Sequence, residues 1–321
     1  MQVVTLFFFH TAGTGWKILP FLEHAETFLR IGCHTSAFLS CSTSSGGFFM
    51  KALVMVPICP LMLRPGFGSE RADEVLLGME VEFLENAGAG WRRVRTHYGY
   101  EGYAHKDCLL AGDSLVERWL ERPRAVVLHA VCDVLAQPDI KSPVLLTLPR
   151  GAMLAPRGDP DENGWQAVLL PDGRTGYVRQ GFLGPYHSVP AYTDEAALRA
   201  AVTSSALSYL GAPYRWGGKT PEGIDCSGLT FMAYLLNGVI IWRDARIVEG
   251  YPVHPIPPEA LRPADLIFFP GHVAMYLGDG RYVHSTARAG SDGVVINSLD
   301  PAAPDYRPDL AERITAFGSI F

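Results

Sequence analysis

Cys226, His272 and His284 are the residues of this chain whose types and order suit covalent catalysis. Cys226 follows Gly223-Ile224-Asp225 and precedes Ser227-Gly228, after which Leu229, Met232, Ala233, Leu235 and Leu236 recur at helical spacing. The thiol therefore stands at a helix N-terminus, where the dipole and free N–H groups are expected to lower its pKa and favour the thiolate. Downstream, residues 265–269 read as a buried strand and 272–277 as a second, with Gly278-Asp279-Gly280 turning the chain into 281–285. The two histidines thus lie on adjacent strands of a hairpin. A thiol, an imidazole base and a group that orients the imidazole form the arrangement for acyl transfer through a covalent intermediate. A strand histidine taken alone more often faces solvent or fills a polar core, but here the joint pattern outweighs that reading.

The hairpin carries a geometric condition. Side chains alternate faces along a strand, and directly opposed residues share a face. A regular two-residue turn at Asp279-Gly280 would point His284 away from His272, so an odd-length loop or a β-bulge is expected between them.

Other elements must hold these residues in place. A helix is expected from Asp194 towards Tyr209, with Thr193 as N-cap and Gly211 and Pro213 ending it. Upstream of it lies an internal repeat: Trp91, Val94, Gly99, Gly102, Tyr103 and Leu109 recur 74 positions later as Trp165, Val168, Gly173, Gly176, Tyr177 and Leu183. Each copy reads as about five short strands by turn spacing, including alternating stretches at 75–83 and 144–148. Between the copies, 113–120 is expected to cap and form one short helix before Pro123. One position breaks the repeat. Where the first copy has Tyr100 the second has Arg174, so the barrel does not explain Tyr100.

Length and composition fit this organisation. At ~150 residues per domain, 321 residues allow two domains, or three if some are small. The 33 glycines and 24 prolines favour many short strands. A net charge of −6 gives no reason to expect nucleic acid or an anionic membrane as the main partner. The six cysteines include no CxxC pair, which argues against a disulfide framework or a zinc site. Cys59, Cys108 and Cys132 read as small buried hydrophobes, and such thiols fit a reducing compartment. No phosphate-loop, flavin or metal motif follows Gly217-Gly218, so no cofactor is expected.

The apolar opening of the chain has no positive flank and stops at His10, and 50–56 is interrupted by Pro57 and Pro60. The first stretch is not a convincing signal peptide and the second reads as a strand, so a cytoplasmic location is expected. Translation is expected to start at Met50, leaving residues 1–49 as an uncertain extension, untranslated or disordered.

The stretch PYRWGGKTPEGIDCSGL (213–229), then PADLIFF (263–269), then HVAMYLGDGRYVHS (272–285), resembles the NlpC/p60 family of papain-like cysteine peptidases. The resemblance covers about 130 residues, the size of one small domain. It implies an α+β papain-like catalytic domain at 190–321, preceded by two small all-β SH3-like barrels at 50–112 and 125–189 with a helical linker at 113–124. It places the nucleophile on Cys226, the general base on His272, the orienting residue on His284 and a site-lining tyrosine on Tyr214. The two-barrel order further resembles the family's murein-recycling branch, the γ-D-glutamyl-L-diamino acid endopeptidases. That branch implies a murein peptide substrate, L-Ala-γ-D-Glu-diamino acid, whose free amine would meet Asp225, Ser227 and Tyr100. The branch's Gly-Glu is here Gly78-Met79-Glu80, so either Glu80 joins the pocket through a shifted register or one carboxylate is missing.

Other readings stay open at this stage. Asp225 also suits a plain helix N-cap, and Ser227 a hydroxyl bonded within the first helical turn. The catalytic set also suits an amidase or acyltransferase on another wall peptide, and the barrels alone would suit a non-catalytic wall-binding protein.

Overall fold

The computed structural model describes residues 50–321; the expectations for 1–49 lie outside the described residues. The repeat seen in sequence is a repeat of topology. The first β-unit comprises β1 (Lys51–Val54), β2 (Ile58–Met62), β3 (Arg71–Leu76), β4 (Glu80–Gly88), β5 (Trp91–Thr96), β6 (Glu101–His105) and β7 (Leu109–Ala111). After helix α1 (Asp113–Leu120), the second comprises β8 (Ala125–Val127), β9 (Val131–Leu135), β10 (Val144–Pro149), β11 (Met153–Pro156), β12 (Trp165–Leu169), β13 (Thr175–Arg179) and β14 (Leu183–Pro185). The first sheet runs β3-β2-β6-β5-β4-β1-β7 and the second β10-β9-β13-β12-β11-β8-β14, the same order displaced by one unit. Each copy thus has seven strands rather than about five, because short segments beyond the hairpins also pair. The stretch 75–83 is broken by a turn at Gly78, whose φ of +82° and close approach to the Met153 carbonyl exclude a side chain.

The remainder is α+β. Helix α2 (Glu195–Leu207) is capped by Asp194, which accepts from Ala197 N at 2.8 Å, so the cap lies one residue beyond the expected Thr193. Helix α1, by contrast, has no side-chain cap, because its N-cap position is Gly112; Asp113, the first helical residue, accepts from the Lys51 backbone N–H at 2.7 Å. The short pair β15 (Lys219–Thr220) and β16 (Gly223–Ile224) leads into helix α3 (Cys226–Leu235). Then come β17 (His254–Ile256), β18 (Leu266–Phe269), β19 (His272–Gly278), β20 (Arg281–Thr286), β21 (Gly293–Ser298) and β22 (Ala316–Ser319), in an antiparallel sheet of order β17-β22-β18-β19-β20-β21.

Helix α3 lies on β19 and β20, with α2 against its other side. Because α3 is covered on every face, nine of its ten residues are buried, which is why its apolar residues do not form a single stripe. Its core continues without a break into the first β-unit: the rings of Phe231 and Tyr98 meet at 4.7 Å. The second β-unit has its own core around Val134, Leu148 and Val168. Among the described residues, no helix is long and apolar enough to cross a membrane.

Candidate active site

The hairpin satisfies the condition set by side-chain alternation. Asp279-Gly280 forms a two-residue turn with Gly278 opposite Arg281, but the register shifts between Tyr276 and Gly278, where Leu277 is the extra residue of a β-bulge. Beyond it Met275 pairs with Val283, so His284 falls opposite Ala274 and on the face of His272. His272 Nε2 and His284 Nδ1 are 2.8 Å apart.

The protons of this chain can be placed from its far end. Asn297 on β21 donates its amide Nδ2 to the Asp305 carbonyl at 2.7 Å, so its Oδ1 faces His284. That oxygen can only accept, so His284 Nε2, 2.9 Å away, carries the proton. His284 Nδ1 is then an acceptor, His272 Nε2 is the donor to it, and His272 Nδ1 is left as the basic nitrogen. Burial, first of all, drives the His272 imidazole down to about 3, with His284 and Arg307 adding to it. Burial likewise drives His284 down to about 4. Both rings are neutral at pH 7.

Cys226 begins α3, with Asp225 as N-cap accepting from Gly228 N at 2.6 Å. Burial and then the Asp225 carboxylate push the thiol up to about 12, against the N–H groups of Val273 and Ser227 and the charge of Arg243. This corrects the expectation of a lowered pKa: a closed site and an anionic cap outweigh the helix dipole. The resting pair is therefore thiol and neutral imidazole, and the proton must move during attack.

The sulfur opens on a cleft of about 400 Å³ that Tyr100, Tyr214, Asp225, Ser227, Asp244 and Trp216 help to line. Tyr100 reaches in from the first β-unit through the turn at Gly99, whose lack of a side chain lets the Tyr251 hydroxyl pack against it and donate to Tyr98 O at 2.8 Å. Tyr214 stands beside Cys226, and burial pushes its phenol above the ordinary value. Asp225 and Ser227 are tied to the protein as well as lining the cleft: Ser227 Oγ donates to Asp225 at 3.1 Å, and Gly217 N donates to Asp225 at 2.8 Å. Asp225 thus caps the helix while also lining the cleft.

Glu80 is not brought to this cleft. Strand alternation turns Val81 into the core and Glu80 and Glu82 to the other face, where Glu80 lines a separate cavity with Lys51, its Nζ 4.0 Å away. No shifted register rescues it, since Leu53 pairs directly with Glu80.

Three participants escaped the sequence reading. Asn297 had no motif to mark it. Asp244 accepts from the Tyr100 hydroxyl at 3.1 Å inside the cleft, and its carboxyl is raised by burial despite Arg243. Arg243, fully buried, contacts both Asp225 and Ser227. The polar run Arg243-Asp244-Ala245-Arg246 after Val239-Ile240-Ile241-Trp242 was the available signal for the last two.

The sequence profile of the NlpC/P60 family matches residues 211–307, which span the cysteine and both histidines. Over 275 residues the chain is 46% identical to Dipeptidyl-peptidase 6 of Lysinibacillus sphaericus, covering 85% of this chain and all of that one. It is 36% identical over 126 residues to the gamma-D-glutamyl-L-lysine dipeptidyl-peptidase of Bacillus cereus, 37% of each chain. The fold is shared with the crystal structure of an NlpC/P60 family protein from Bacillus cereus, at a TM-score of 0.68 and 23% identity, over 83% of this chain and 98% of that one.

Proposed function

The chain belongs to the NlpC/P60 family and is a cysteine-type peptidase, and from that premise we propose how its cleft hydrolyses the bond between γ-D-glutamate and a diamino acid. The substrate is a murein-derived peptide with a free N-terminal L-alanine, L-Ala-γ-D-Glu-diamino acid. The observation that carries the reading is the placement of Tyr100 and Asp244 in the same cleft as Cys226. A half-buried carboxylate in the cleft whose side-chain hydrogen bond is to a phenol suits an ammonium, since a buried charge needs an opposite one. With Asp225 beside the nucleophile, the amine is held at a set distance from the sulfur, which measures off a dipeptide. Asp244 takes the place that was expected of Glu80.

In the mechanism, His272 Nδ1 removes the Cys226 proton as the sulfur attacks the γ-carbonyl carbon, and the chain to His284 and Asn297 holds the ring. The oxyanion is stabilised by backbone N–H groups at the start of α3. The imidazolium returns its proton to the amine of the leaving diamino acid, giving a thioester. Water, deprotonated by His272, then attacks the thioester and releases L-Ala-D-Glu with regeneration of the thiol.

In this reading residues 50–112 and 125–189 are SH3-like barrels joined by a linker at 113–124, and 190–321 is the catalytic domain. Their matching strand orders support a duplicated unit. The unpaired thiols among the described residues suit a reducing compartment, and the reading includes cytoplasmic recycling of wall peptides. The test is incubation with L-Ala-γ-D-Glu-L-Lys or its diaminopimelate counterpart: the products are L-Ala-D-Glu and the free diamino acid. Release of alanine alone, or of ammonia, would indicate another reaction.

A further inference from the structure

All five N–H donors of the buried Arg243 guanidinium are spoken for. Nε donates to Asp73 Oδ1 at 2.6 Å. Nη1 donates to Asp225 Oδ1 at 3.1 Å and Ser227 Oγ at 2.9 Å. Nη2 donates to the Gly218 carbonyl at 3.1 Å and Asp225 Oδ2 at 3.2 Å. One end of this planar group is therefore fixed by an acid of the first β-unit, and the other grips the residues on either side of Cys226. Asp73 is itself fully buried on β3, and its second oxygen accepts from Lys219 Nζ at 3.0 Å and from the Tyr98 hydroxyl.

We propose that Asp73 is a positioning residue for the substrate cleft: acting through Arg243, it sets the orientation of Asp225 and Ser227 and so makes the first β-unit part of the site's machinery. The proposal rests on the reading of the cleft given above. A rigid planar fork transmits position better than a flexible ammonium, since rotating Nε about its bond displaces both Nη groups together. Arg243 has no spare donor with which to compensate. Two anions, Asp73 and Asp225, face two cations, Lys219 and Arg243, so the cluster is balanced without a bound substrate. Burial already pulls Lys219 down to about 8, and without Asp73 it can shed its proton rather than remain an unpaired buried charge.

Lys219 touches Asp73 but not Arg243, which provides the control. In the full chain, Asp73→Ala is expected to raise KM for L-Ala-γ-D-Glu-L-Lys about tenfold or more, with kcat within about threefold and iodoacetamide alkylation of Cys226 unchanged. Asp73→Glu keeps the charge but displaces the fork, and is expected to raise KM in the same direction. Lys219→Met is expected to lower the melting temperature while KM stays within about twofold. An unmoved KM in whichever Asp73 variant folds overturns the proposal, as does a KM that rises equally in Lys219→Met. Absence of turnover by the wild type would count instead against the functional reading. In that event a crystal structure of Asp73→Ala or Asp73→Glu decides: a displaced Arg243 and turned Asp225 carboxylate support the relay, and unchanged positions refute it.

Discussion

His284 donates its Nε2 proton to Asn297 Oδ1 across 2.9 Å, and that one contact fixes the tautomers of both His284 and His272. Asn297→Ala removes the acceptor and frees His284 to place its proton on Nδ1, facing His272. The expected result is a fall in kcat of about 10- to 100-fold with KM little changed, because the loss concerns proton transfer rather than binding. Asn297→Asp keeps an acceptor and should recover most of the rate. Steady-state kinetics of the two variants check this, and equal losses would show that the contact serves packing alone.

Cys226→Ala and His272→Ala are expected to abolish turnover while leaving the circular dichroism spectrum unchanged, since each removes a member of one catalytic unit. His284→Ala should retain more activity, because water can partly replace an orienting group. Substantial turnover by either of the first two variants would eliminate the cysteine mechanism.

The meeting of Cys226, His272 and His284 was legible because its signals are local: a cap-like Asp before a helical pattern, two histidines on strands, and alternation that required a bulge. The bulge at Leu277 supplied what alternation demanded. The rest of the site depends on pairings across the chain. Glu80 looked available from its motif, but whether it faced the cleft depended on which residue of β1 it paired with, and Leu53 put it on the other face. Asp73 and Lys219 lie 146 positions apart, and no local pattern announces a buried ion pair of that separation. The thiol pKa was misjudged for a related reason: a helix start is visible in sequence, but the burial that opposes it is not.

Tyr100→Phe, Asp225→Asn and Asp244→Asn should each weaken cleavage of free-amine peptides by about tenfold or more while changing Cys226 alkylation less, since the proposed amine pocket assigns them to substrate binding and not to activation of the sulfur. Parallel rates of peptide hydrolysis and iodoacetamide reaction provide the comparison. Alkylation falling in step with cleavage would contradict the amine-pocket role.

Acid should destabilise the fold through its buried histidines. His284, held near 4, binds a proton less readily folded than unfolded, where the ordinary value is 6.5. Between those values the unfolded chain takes up more protons, so stability present above pH 6.5 is lost as the pH falls. The loss from this residue is about 2–3 kcal/mol by pH 4.5. Urea unfolding at pH 7 and pH 4.5 should therefore show a smaller drop in His284→Gln than in the wild type. Identical drops would show that His284 is not held neutral.

Selection of a free N-terminal alanine is the claim on which the functional reading turns, and it is tested most directly by the kcat/KM ratio of L-Ala-γ-D-Glu-L-Lys to its N-acetylated form. The amine pocket proposed for this cleft, which Asp244, Tyr100 and Asp225 line, predicts a ratio of about 100 or more, with L-Ala-D-Glu and free lysine as products identified by mass spectrometry. Equal rates for the two peptides, or cleavage at another bond, would contradict it.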